Sequence, residues 1–488
     1  MANYEYDIGI IGGGAAGLTV ASGAAQLGAK TLLVEKEEAL GGDCLHFGCV
    51  PSKTLIRTAH VYHLMKNASN FGLPEMAVPP VDFKKVGDRI RSVIDTIQHH
   101  DSEERFCGLG AKVLFGDAEF VEPHTIRMNG TAYSAKNWVI AAGSSAAIPP
   151  IDGLDKTPFI TNREIFSLDR LPKSLIILGG GPIGTEMSQA FSRLGARVSV
   201  VDMADQILTK EDNDMVAPLM AVLRAEGVDF HMNVTVVGTK DLGGEKEVAV
   251  KDAAGKSYSI KGEVLLVALG RKANVDGLGL SEIGVDSTPR GIRVDNRLRT
   301  SIKHIYGAGD VTGGYQFTHA AGYEGGVVLS NAIFHLPKKT DYTYLPWCTY
   351  TDPELASIGM NEMRAEAAGI KYSVWTEPFN SNDRSLSENE RVGKVKLILN
   401  EKEKPIGVQM LGPHAGELMG EWVAIFNGNV KLSTMAGAVH PYPTLGEINK
   451  RVVGNVFSPK IFSEKVQKGL KFFFSLKGRA CELPDDLT

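Results

Sequence analysis

Two cysteines, Cys44 and Cys49, lie five residues apart in the segment GGDCLHFGCVPSK and could carry redox chemistry. In a regular α-helix their Cα atoms would be roughly 8 to 9 Å apart, beyond the limit of about 7 Å for a disulfide bond. A bond between them therefore requires a distorted helix, which Gly48 permits. Lys53 follows Cys49 by one helical turn, where its ammonium group could stabilise a thiolate. The alternative interpretation is two unrelated buried cysteines.

A second set of candidate residues lies in the segment HPYPTLGE near the C-terminal end. His440 and Glu447 suggest an acid/base pair, but the residue five positions before Glu447 is Tyr442. Tyrosine, with an unperturbed pKa near 10 against about 6.5 for histidine, is a poor proton carrier at neutral pH. Both His440 and Tyr442 precede proline, which favours extended backbone and separates their Cα atoms by roughly 6 to 7 Å. The imidazole therefore cannot simply replace the phenol. A bridging water, or a rearrangement of the prolines, is one alternative, and the interpretation we favour for His440 is a hydrogen-bonded interface residue.

Elements elsewhere in the chain must hold these candidate residues in place. The clearest of them are two strand–turn–helix–strand units that carry glycine motifs. In the first unit, Gly12, Gly14 and Gly17 form G-x-G-x-x-G, which allows a tight turn, a close approach of backbone to a pyrophosphate, and close packing of helix on strand. Glu35 ends the following strand, where it can accept hydrogen bonds from both ribose hydroxyls of an adenosine. These features together predict a dinucleotide site.

The same pattern recurs downstream with Gly179, Gly181 and Gly184, and the next strand ends at Asp202. A carboxylate there suits an unphosphorylated ribose, whereas a 2′-phosphate requires a nearby arginine. The residues that follow Asp202 read Met-Ala-Asp-Gln, so the sequence favours NADH over NADPH. Two such units in one chain imply two nucleotide sites.

Composition narrows the class of protein. A chain of 488 residues is too long for one core and predicts roughly two to four domains. A net charge of -5 argues against nucleic-acid binding, and no apolar run reaches the roughly 18 residues that a membrane-spanning helix needs. A strand begins within the first few residues, which leaves no room for a signal peptide. Five cysteines are few and odd in number, so a secreted disulfide framework is not expected and we predict a cytoplasmic location.

Five segments in order, GGDCLHFGCVPSK, GGGPIGTE, YGAGDV, YTDPELASIG and HPYPTLGE, resemble the class I pyridine nucleotide-disulfide oxidoreductases. This flavoenzyme family includes dihydrolipoamide dehydrogenase, glutathione reductase and mercuric reductase, and the resemblance extends to about residue 455. It implies FAD at the first Rossmann unit and a nicotinamide nucleotide at the second. It also implies that Cys49 is the thiolate beside the flavin, that Cys44 is the interchange thiol that meets substrate, and that Lys53 and Glu186 form an ion pair beside the flavin.

The resemblance extends to the cofactor contacts and the mechanism. Asp310 matches the acid that binds the ribityl chain of the flavin, and Gly143 and Gly270 complete the predicted cofactor-binding residues. The implied reaction passes hydride from nicotinamide to flavin, and the reduced flavin opens the Cys44–Cys49 disulfide; the reverse direction oxidises an external dithiol. The family also implies a homodimer in which each active site is completed by the partner subunit.

The predicted fold class is α/β, with two Rossmann-type nucleotide-binding domains for FAD and NAD and a C-terminal α+β dimerisation domain. The expected divisions are 1–150 for the FAD-binding domain with the cysteine pair, 151–275 for the NAD(P)-binding domain, 276–345 for a return to the FAD and central region, 346–455 for the dimerisation domain, and 456–488 for a Lys/Phe-rich tail.

The family's disulfide reductases carry a His five residues before the Glu, so Tyr442 is a departure. The leading hypothesis is a dihydrolipoamide dehydrogenase-like enzyme for a small dithiol, disulfide or lipoyl-type substrate. The second is a reductase for mercuric or another soft metal ion, because mercuric reductases also replace this His with Tyr. One observation argues against a metal reductase: the tail carries the single Cys481 rather than the vicinal cysteine pair of those enzymes. The alternative interpretation of Cys481 is a free surface cysteine. A non-catalytic flavoprotein subunit is disfavoured, since the glycine turns and both redox cysteines are intact. No resident metal site is expected.

The tail segment FSEKVQKGLKFFFSLKGR combines lysines with three consecutive phenylalanines. Contact with a membrane or an acidic partner protein is one interpretation. The one we favour is a helix that packs its Phe side chains on the body and exposes its Lys side chains to water.

Overall fold

The computed structural model describes residues 4–481. The chain forms two compact units. Among the described residues, one runs through Leu345 and includes Thr349–Thr351, and the other comprises Pro346–Cys348 and the residues from Asp352 to 481.

The first unit alternates strands and helices. Its helices are α1 (Ala15–Gln26), α2 (Gly42–His46), α3 (Cys49–Lys66), α4 (Phe83–Gln98), α5 (Glu103–Leu109), α6 (Pro182–Leu194), α7 (Asn213–Ala225) and α8 (Thr318–Ala332). Its strands are β1 (Tyr6–Ile11), β2 (Thr31–Glu35), β3 (Ala111–Phe115), β4 (Ala118–Glu122), β5 (Thr125–Met128), β6 (Thr131–Ile140), β7 (Ser144–Ala146), β8 (Ser174–Leu178), β9 (Arg197–Val201), β10 (Val228–His231), β11 (Val234–Asp241), β12 (Lys246–Asp252), β13 (Ser257–Gly262), β14 (Val264–Val267), β15 (Arg271–Ala273), β16 (Ser287–Thr288), β17 (Gly291–Ile292) and β18 (Ile305–Gly307).

Two parallel sheets in this unit repeat one strand order. The first places β3-β2-β1-β6 side by side, with β18 also parallel to β6 and with β5 and β4 added as antiparallel strands. The second is β10-β9-β8-β14, parallel throughout. Strands β2 and β8 are buried along their whole length, as expected for parallel strands covered on both faces. Each glycine motif therefore lies where the central strand of its sheet ends and the first helix begins, the place where open α/β sheets bind nucleotides.

The second unit is an α+β structure. Its elements are β19 (Pro346–Thr349, whose last residue is counted with the first unit), β20 (Glu354–Gly359), α9 (Glu362–Ala367), β21 (Tyr372–Pro378), α10 (Asp383–Ser387), β22 (Lys394–Asn400), β23 (Pro405–Gly412), α11 (Ala415–Gly428), α12 (Leu432–Gly437), α13 (Glu447–Ile461) and α14 (Glu464–Phe474). The sheet order is β19-β20-β23-β22-β21, and α11 and α13 pack on it. The segment HPYPTLGE connects α12 to the start of α13, so this small sheet and its helices fix the position of that loop.

The structure contradicts the favoured interpretation of the tail. Phe472, Phe473 and Phe474 are 70–81% exposed rather than packed on the body. Every residue of α14 is at least partly exposed. In the described part of the chain, no helix combines the length and the apolar character needed to cross a membrane.

Candidate active site

The backbone between Cys44 and Cys49 departs from a helix in the way a disulfide requires. Helix α2 ends at His46 and α3 begins at Cys49, and between them Gly48 has φ -129° and ψ -112°. A Cβ atom at Gly48 would lie 2.9 Å from the carbonyl oxygen of Asp43, so a larger residue there would push the two helices apart. Both cysteines are free thiols in this structure, and they are hydrogen-bonded to each other.

The two thiols have opposite acidities. The hydrogen bond from Cys44 is the largest of the effects that lower the pKa of Cys49 to about 6, and a hydrogen bond with Thr318 and the positive charge of Lys53 act in the same direction against the effect of burial. The same Cys44–Cys49 bond raises the pKa of Cys44, and burial raises it further. At neutral pH the site therefore holds a Cys49 thiolate that accepts a hydrogen bond from a neutral Cys44 thiol.

Lys53 and Glu186 form the ion pair that the sequence predicted. Lys53 Nζ lies 2.8 Å from Glu186 Oε2, although the residues belong to different helices, α3 and α6. The backbone N–H of Tyr350 donates to Glu186 Oε1 over 2.9 Å, and the Lys53 ammonium lies 4.4 Å from the centre of the Tyr350 ring. Lys53 is consequently held one turn after Cys49 by both a carboxylate and an aromatic face.

Thr318 is a site residue that sequence reasoning missed. Its Oγ1 lies 3.4 Å from Cys49 Sγ, and it is the first residue of α8, whose N-terminal end carries partial positive charge. The sequence offers no signal for this contact, since Thr318 is 269 residues from Cys49 and belongs to no motif.

The acids that end the second strand of each Rossmann unit brace the glycine turns. Glu35 Oε2 accepts a hydrogen bond from the Gly13 N–H over 2.6 Å, and Asp202 Oδ2 accepts one from the Gly180 N–H over 2.6 Å. A carboxylate has about four acceptor positions, so both acids keep acceptor capacity for ribose hydroxyls.

The outer glycines of each motif are required by the protein itself. Gly12 and Gly179 have φ near +107° and +110°, a conformation that L-residues rarely adopt. A Cβ at Gly17 or Gly184 would lie 1.9 Å from the carbonyl oxygen of Gly12 or Gly179, respectively. These four glycines shape the turn and allow the helix to pack against it.

The middle glycines are not required by any protein contact. Among the described residues, a Cβ at Gly181 would meet no atom within 4 Å, and one at Gly14 would meet only the Cα of Gly42, at 4.0 Å. Within residues 4–481, no side chain caps the N-terminus of α1 or α6. An open glycine before an uncapped helix N-terminus fits a pyrophosphate, which both approaches the backbone and accepts the free N–H groups.

Asp310 lies in a polar network that the sequence revealed only in part. Ser144 Oγ donates to Asp310 Oδ2 over 2.5 Å, and the Arg271 guanidinium lies between Asp310, at 3.7 Å, and Asp43, at 2.9 Å. Burial raises the pKa of Asp310. Sequence reasoning did not predict Arg271, Ser144 and Asp43 as site residues, although each directly follows or precedes a predicted residue.

Gly143 and Gly270 adjoin this network. Gly143 precedes Ser144 and Gly270 precedes Arg271. Both glycines have positive φ, and a Cβ at either position would meet no described atom within 4 Å.

The loop of residues 440–447 in the second unit separates its three candidate residues. Tyr442, which is 69% exposed, donates its hydroxyl to Asp383 Oδ2 over 2.9 Å, and this hydrogen bond and the nearby negative charges raise the pKa of Tyr442. His440 Nε2 instead pairs with Glu421 Oε1 at 3.0 Å. Glu447 begins α13, and its buried Oε2 has no hydrogen-bond partner among the described residues.

Comparison with known protein families matches nearly the whole chain. The family model of the pyridine nucleotide-disulphide oxidoreductases matches residues 6–325, and that of their dimerisation domain matches residues 345–452. The chain belongs to this family.

Similar proteins include a dihydrolipoyl dehydrogenase from Bacillus subtilis, 34% identical over 90% of this chain and 96% of that protein. A mercuric reductase from Bacillus cereus is 32% identical over 91% of this chain and 70% of its own length. Among solved structures, the HOCl-induced flavoprotein disulfide reductase RclA from Escherichia coli superposes with a TM-score of 0.83 at 26% identity, covering 92% of this chain and all of that one.

Family membership confirms the predicted fold class and identifies the chain as a flavin-dependent pyridine nucleotide-disulfide oxidoreductase. The family implies FAD and a nicotinamide cofactor, and the dimerisation domain accords with the expected homodimer. The choice between NADH and NADPH, the roles of individual site residues, the domain divisions and the cytoplasmic location stay predictions.

Proposed function

We propose that this member of the family is an NADH-linked oxidoreductase for a small dithiol or disulfide of the lipoyl type. The observation that carries the proposal is the hydrogen-bonded pair of Cys44 and Cys49, in which the pKa of Cys49 is lowered to about 6 while that of Cys44 is raised. The similarity to several dihydrolipoyl dehydrogenases supports the substrate class.

In the reducing direction, Cys44 passes its proton through the hydrogen bond to the Cys49 thiolate and attacks one sulfur of the substrate disulfide as a thiolate. Cys49 then gives this proton up to the substrate and is a thiolate again. A mixed disulfide forms, and the Cys44 proton ends on the first substrate sulfur to leave. The Cys49 thiolate then attacks the Cys44 sulfur, which forms the Cys44–Cys49 disulfide and releases the second substrate sulfur to take a proton from solvent. The substrate gains two electrons and the protein loses two.

The first Rossmann unit would hold FAD and the second would hold NADH. Gly12, Gly14, Gly17 and Glu35 would bind the pyrophosphate and ribose of FAD, and Asp310 would bind its ribityl chain. When bound, FAD supplies two-electron transfer between the nicotinamide and the cysteine pair. Lys53 keeps a positive charge near Cys49, and Glu186 fixes the position of that charge.

The second nucleotide site would bind NADH through Gly179, Gly181, Gly184 and Asp202. Met203, directly after Asp202, is 72% exposed, and the next residues supply no guanidinium for a 2′-phosphate. This arrangement supports NADH as the electron donor.

The loop of residues 440–447 would complete the active site of the partner subunit in a homodimer. We assign no proton transfer to Tyr442, because its hydroxyl donates to Asp383 and its pKa is raised. His440 is the alternative proton carrier. Its pairing with Glu421 supports a positioning role instead.

A second candidate function is reduction of a soft metal ion held by the Cys44 and Cys49 thiolates. Tyr442 favours it, because a metal held by thiolates has less need of a histidine that exchanges protons with a thiol. Mercuric reductase is among the similar proteins, and a Cu(II) complex of RclA is among the similar structures.

Steady-state assays of the purified flavoprotein distinguish these functions. The substrates are dihydrolipoamide with NAD, lipoamide with NADH, and Hg(II) with NADH. The first proposal expects NAD-coupled oxidation of dihydrolipoamide. Turnover of Hg(II) alone would favour the second function, and no turnover of any pair by a protein whose flavin is reducible by NADH would reject both substrates.

Cysteine variants test the roles within that assay. Cys44→Ser and Cys49→Ser should each abolish disulfide turnover, since either change removes one sulfur of the exchange. The matched control is Cys107→Ser, which changes an exposed thiol on α5 and should leave turnover unchanged. Retained turnover in Cys44→Ser would exclude Cys44 as the interchange thiol.

A further inference from the structure

Helix α14 lies beyond the part of the chain that matches the family. The match to the dimerisation domain ends at residue 452, α13 continues to Ile461, and α14 runs from Glu464 to Phe474. The Ser463 side chain accepts a hydrogen bond from the Val466 N–H and caps the helix. The helix therefore has a defined start, and none of the residues assigned above to the redox chemistry or the nucleotide sites lies in it.

One side of α14 is apolar and exposed. Val466, Leu470, Phe473 and Phe474 follow the spacing i, i+4, i+7, i+8, which places them on one face of a helix. Phe473 is 77% exposed and Phe474 is 70% exposed. Contiguous exposed apolar surface of this kind marks an interaction site.

Positive charge surrounds this apolar face. Residues 464–481 contain five cations and one acid, and three further acids follow between residues 482 and 486. The cations are Lys465, Lys468, Lys471, Lys477 and Arg479. The single acid, Glu464, pairs with Lys468 at 3.2 Å, so the other cations face no acid within α14. The surface that complements such a helix is both apolar and anionic.

We propose that α14 docks the protein on the surface of an anionic phospholipid bilayer. Its apolar face enters the boundary between headgroups and acyl chains, where interfacial helices bury Phe and Leu side chains, and its lysines reach the phosphates. The cations favour an anionic surface over a second copy of α14, which carries charge of the same sign. Helix α14 is too short to span a bilayer, so the association is peripheral.

Sedimentation with vesicles tests this proposal on the full-length flavoprotein, which retains the acids Glu482, Asp485 and Asp486 at its end. We expect binding to vesicles of phosphatidylcholine with phosphatidylglycerol and at least about 10-fold weaker binding to phosphatidylcholine alone. Phe473→Ser should weaken binding about 10-fold or more, because it removes an aromatic side chain that is exposed in water and would be buried in the bilayer. Lys465→Glu with Lys471→Glu should weaken it by a similar factor and reduce its sensitivity to salt.

The matched control is Phe472→Ser. Phe472 is a neighbour of the same residue type, but it projects from the opposite side of the helix and is 81% exposed, so its change should alter binding less than about 2-fold. Flavin absorbance and light scattering of each variant confirm folding and the mass of the assembly.

Three results would overturn the proposal. They are no binding to anionic vesicles, equal binding to neutral and anionic vesicles, and equal losses in Phe472→Ser and Phe473→Ser. A fall in assembly mass for Phe473→Ser without any vesicle binding would instead show that α14 packs against a second copy. None of these measurements depends on substrate turnover, so they stand apart from the test of the proposed function.

Discussion

The Thr318 hydroxyl helps to stabilise the Cys49 thiolate through a hydrogen bond. The thiolate of Cys49 persists above its pKa of about 6 and is lost as the pH falls through that value. Thr318→Val keeps the side-chain shape and removes the hydroxyl that lies 3.4 Å from the sulfur, so the pKa should rise by roughly 1 unit. The measurement is a pH titration of the long-wavelength absorbance that a thiolate beside a flavin produces. Thr318→Ser restores the hydroxyl and should titrate like the wild type, and a valine variant that does the same would exclude this role.

Tyr442 occupies the position five residues before Glu447. The Tyr442 hydroxyl holds its proton in a hydrogen bond to Asp383, so loss of this hydroxyl should have little effect on turnover. Tyr442→Phe should therefore change kcat for dihydrolipoamide oxidation less than about 3-fold. Tyr442→His puts an imidazole five residues before Glu447 and should raise kcat about 10-fold or more. The pH profile of kcat checks both variants. A large loss in Tyr442→Phe would mean that the phenol itself transfers protons.

Gly48 lies in the break between α2 and α3, where the absence of a side chain lets the two helices come close. A Cβ at Gly48 would lie 2.9 Å from the Asp43 carbonyl oxygen and 3.2 Å from the Cys44 Cα, so Gly48→Ala should separate the two cysteines. We expect a loss of about 1–3 kcal/mol in the free energy of unfolding, together with slower closure of the disulfide in thiol titrations. The control is Gly108→Ala in α5, where no described atom lies within 4 Å, and it should be neutral or slightly stabilising.

The N-termini of α1 and α6 offer a matched pair of variants that separates the two nucleotide sites. Gly14→Ala adds a methyl group where the described protein leaves space, so the apoprotein should stay folded while its FAD content falls. Gly181→Ala does the same at α6 and should raise the KM for NADH about 10-fold or more with FAD content unchanged. Flavin absorbance after gel filtration and steady-state kinetics measure the two effects. If the two variants exchanged effects, the cofactor assignment would be reversed.

The whole molecule is expected to act as a dimer with shared active sites. A protein with Cys44→Ser and a second with His440→Ala, Tyr442→Phe and Glu447→Gln each lose a different part of every site. If the loop of one subunit completes the site of the other, mixed dimers regain one intact site of two. After dissociation and random reassociation, activity should recover to about a quarter of the wild type. Mixed dimers that stay inactive would place each complete site within one subunit.

Much of this molecule could be predicted from sequence, because its signals are local. The glycine motifs, the strands before them and the acids Glu35 and Asp202 lie within short segments, where backbone sterics dictate a tight turn whatever the rest of the chain does. The spacing of Cys44 and Cys49 likewise predicted a break in the helix, and the structure has one at Gly48.

The remaining features depend on contacts between distant segments, and only the tertiary structure decided them. Thr318 reaches Cys49, Arg271 lies between Asp43 and Asp310, and Tyr350 holds Glu186, because the sheets bring their helices and strands together. Burial is equally non-local. The amphipathic pattern of α14 can be recognised in its sequence. Whether Phe473 is buried depends on contacts with the rest of the fold, and in the structure Phe473 is exposed.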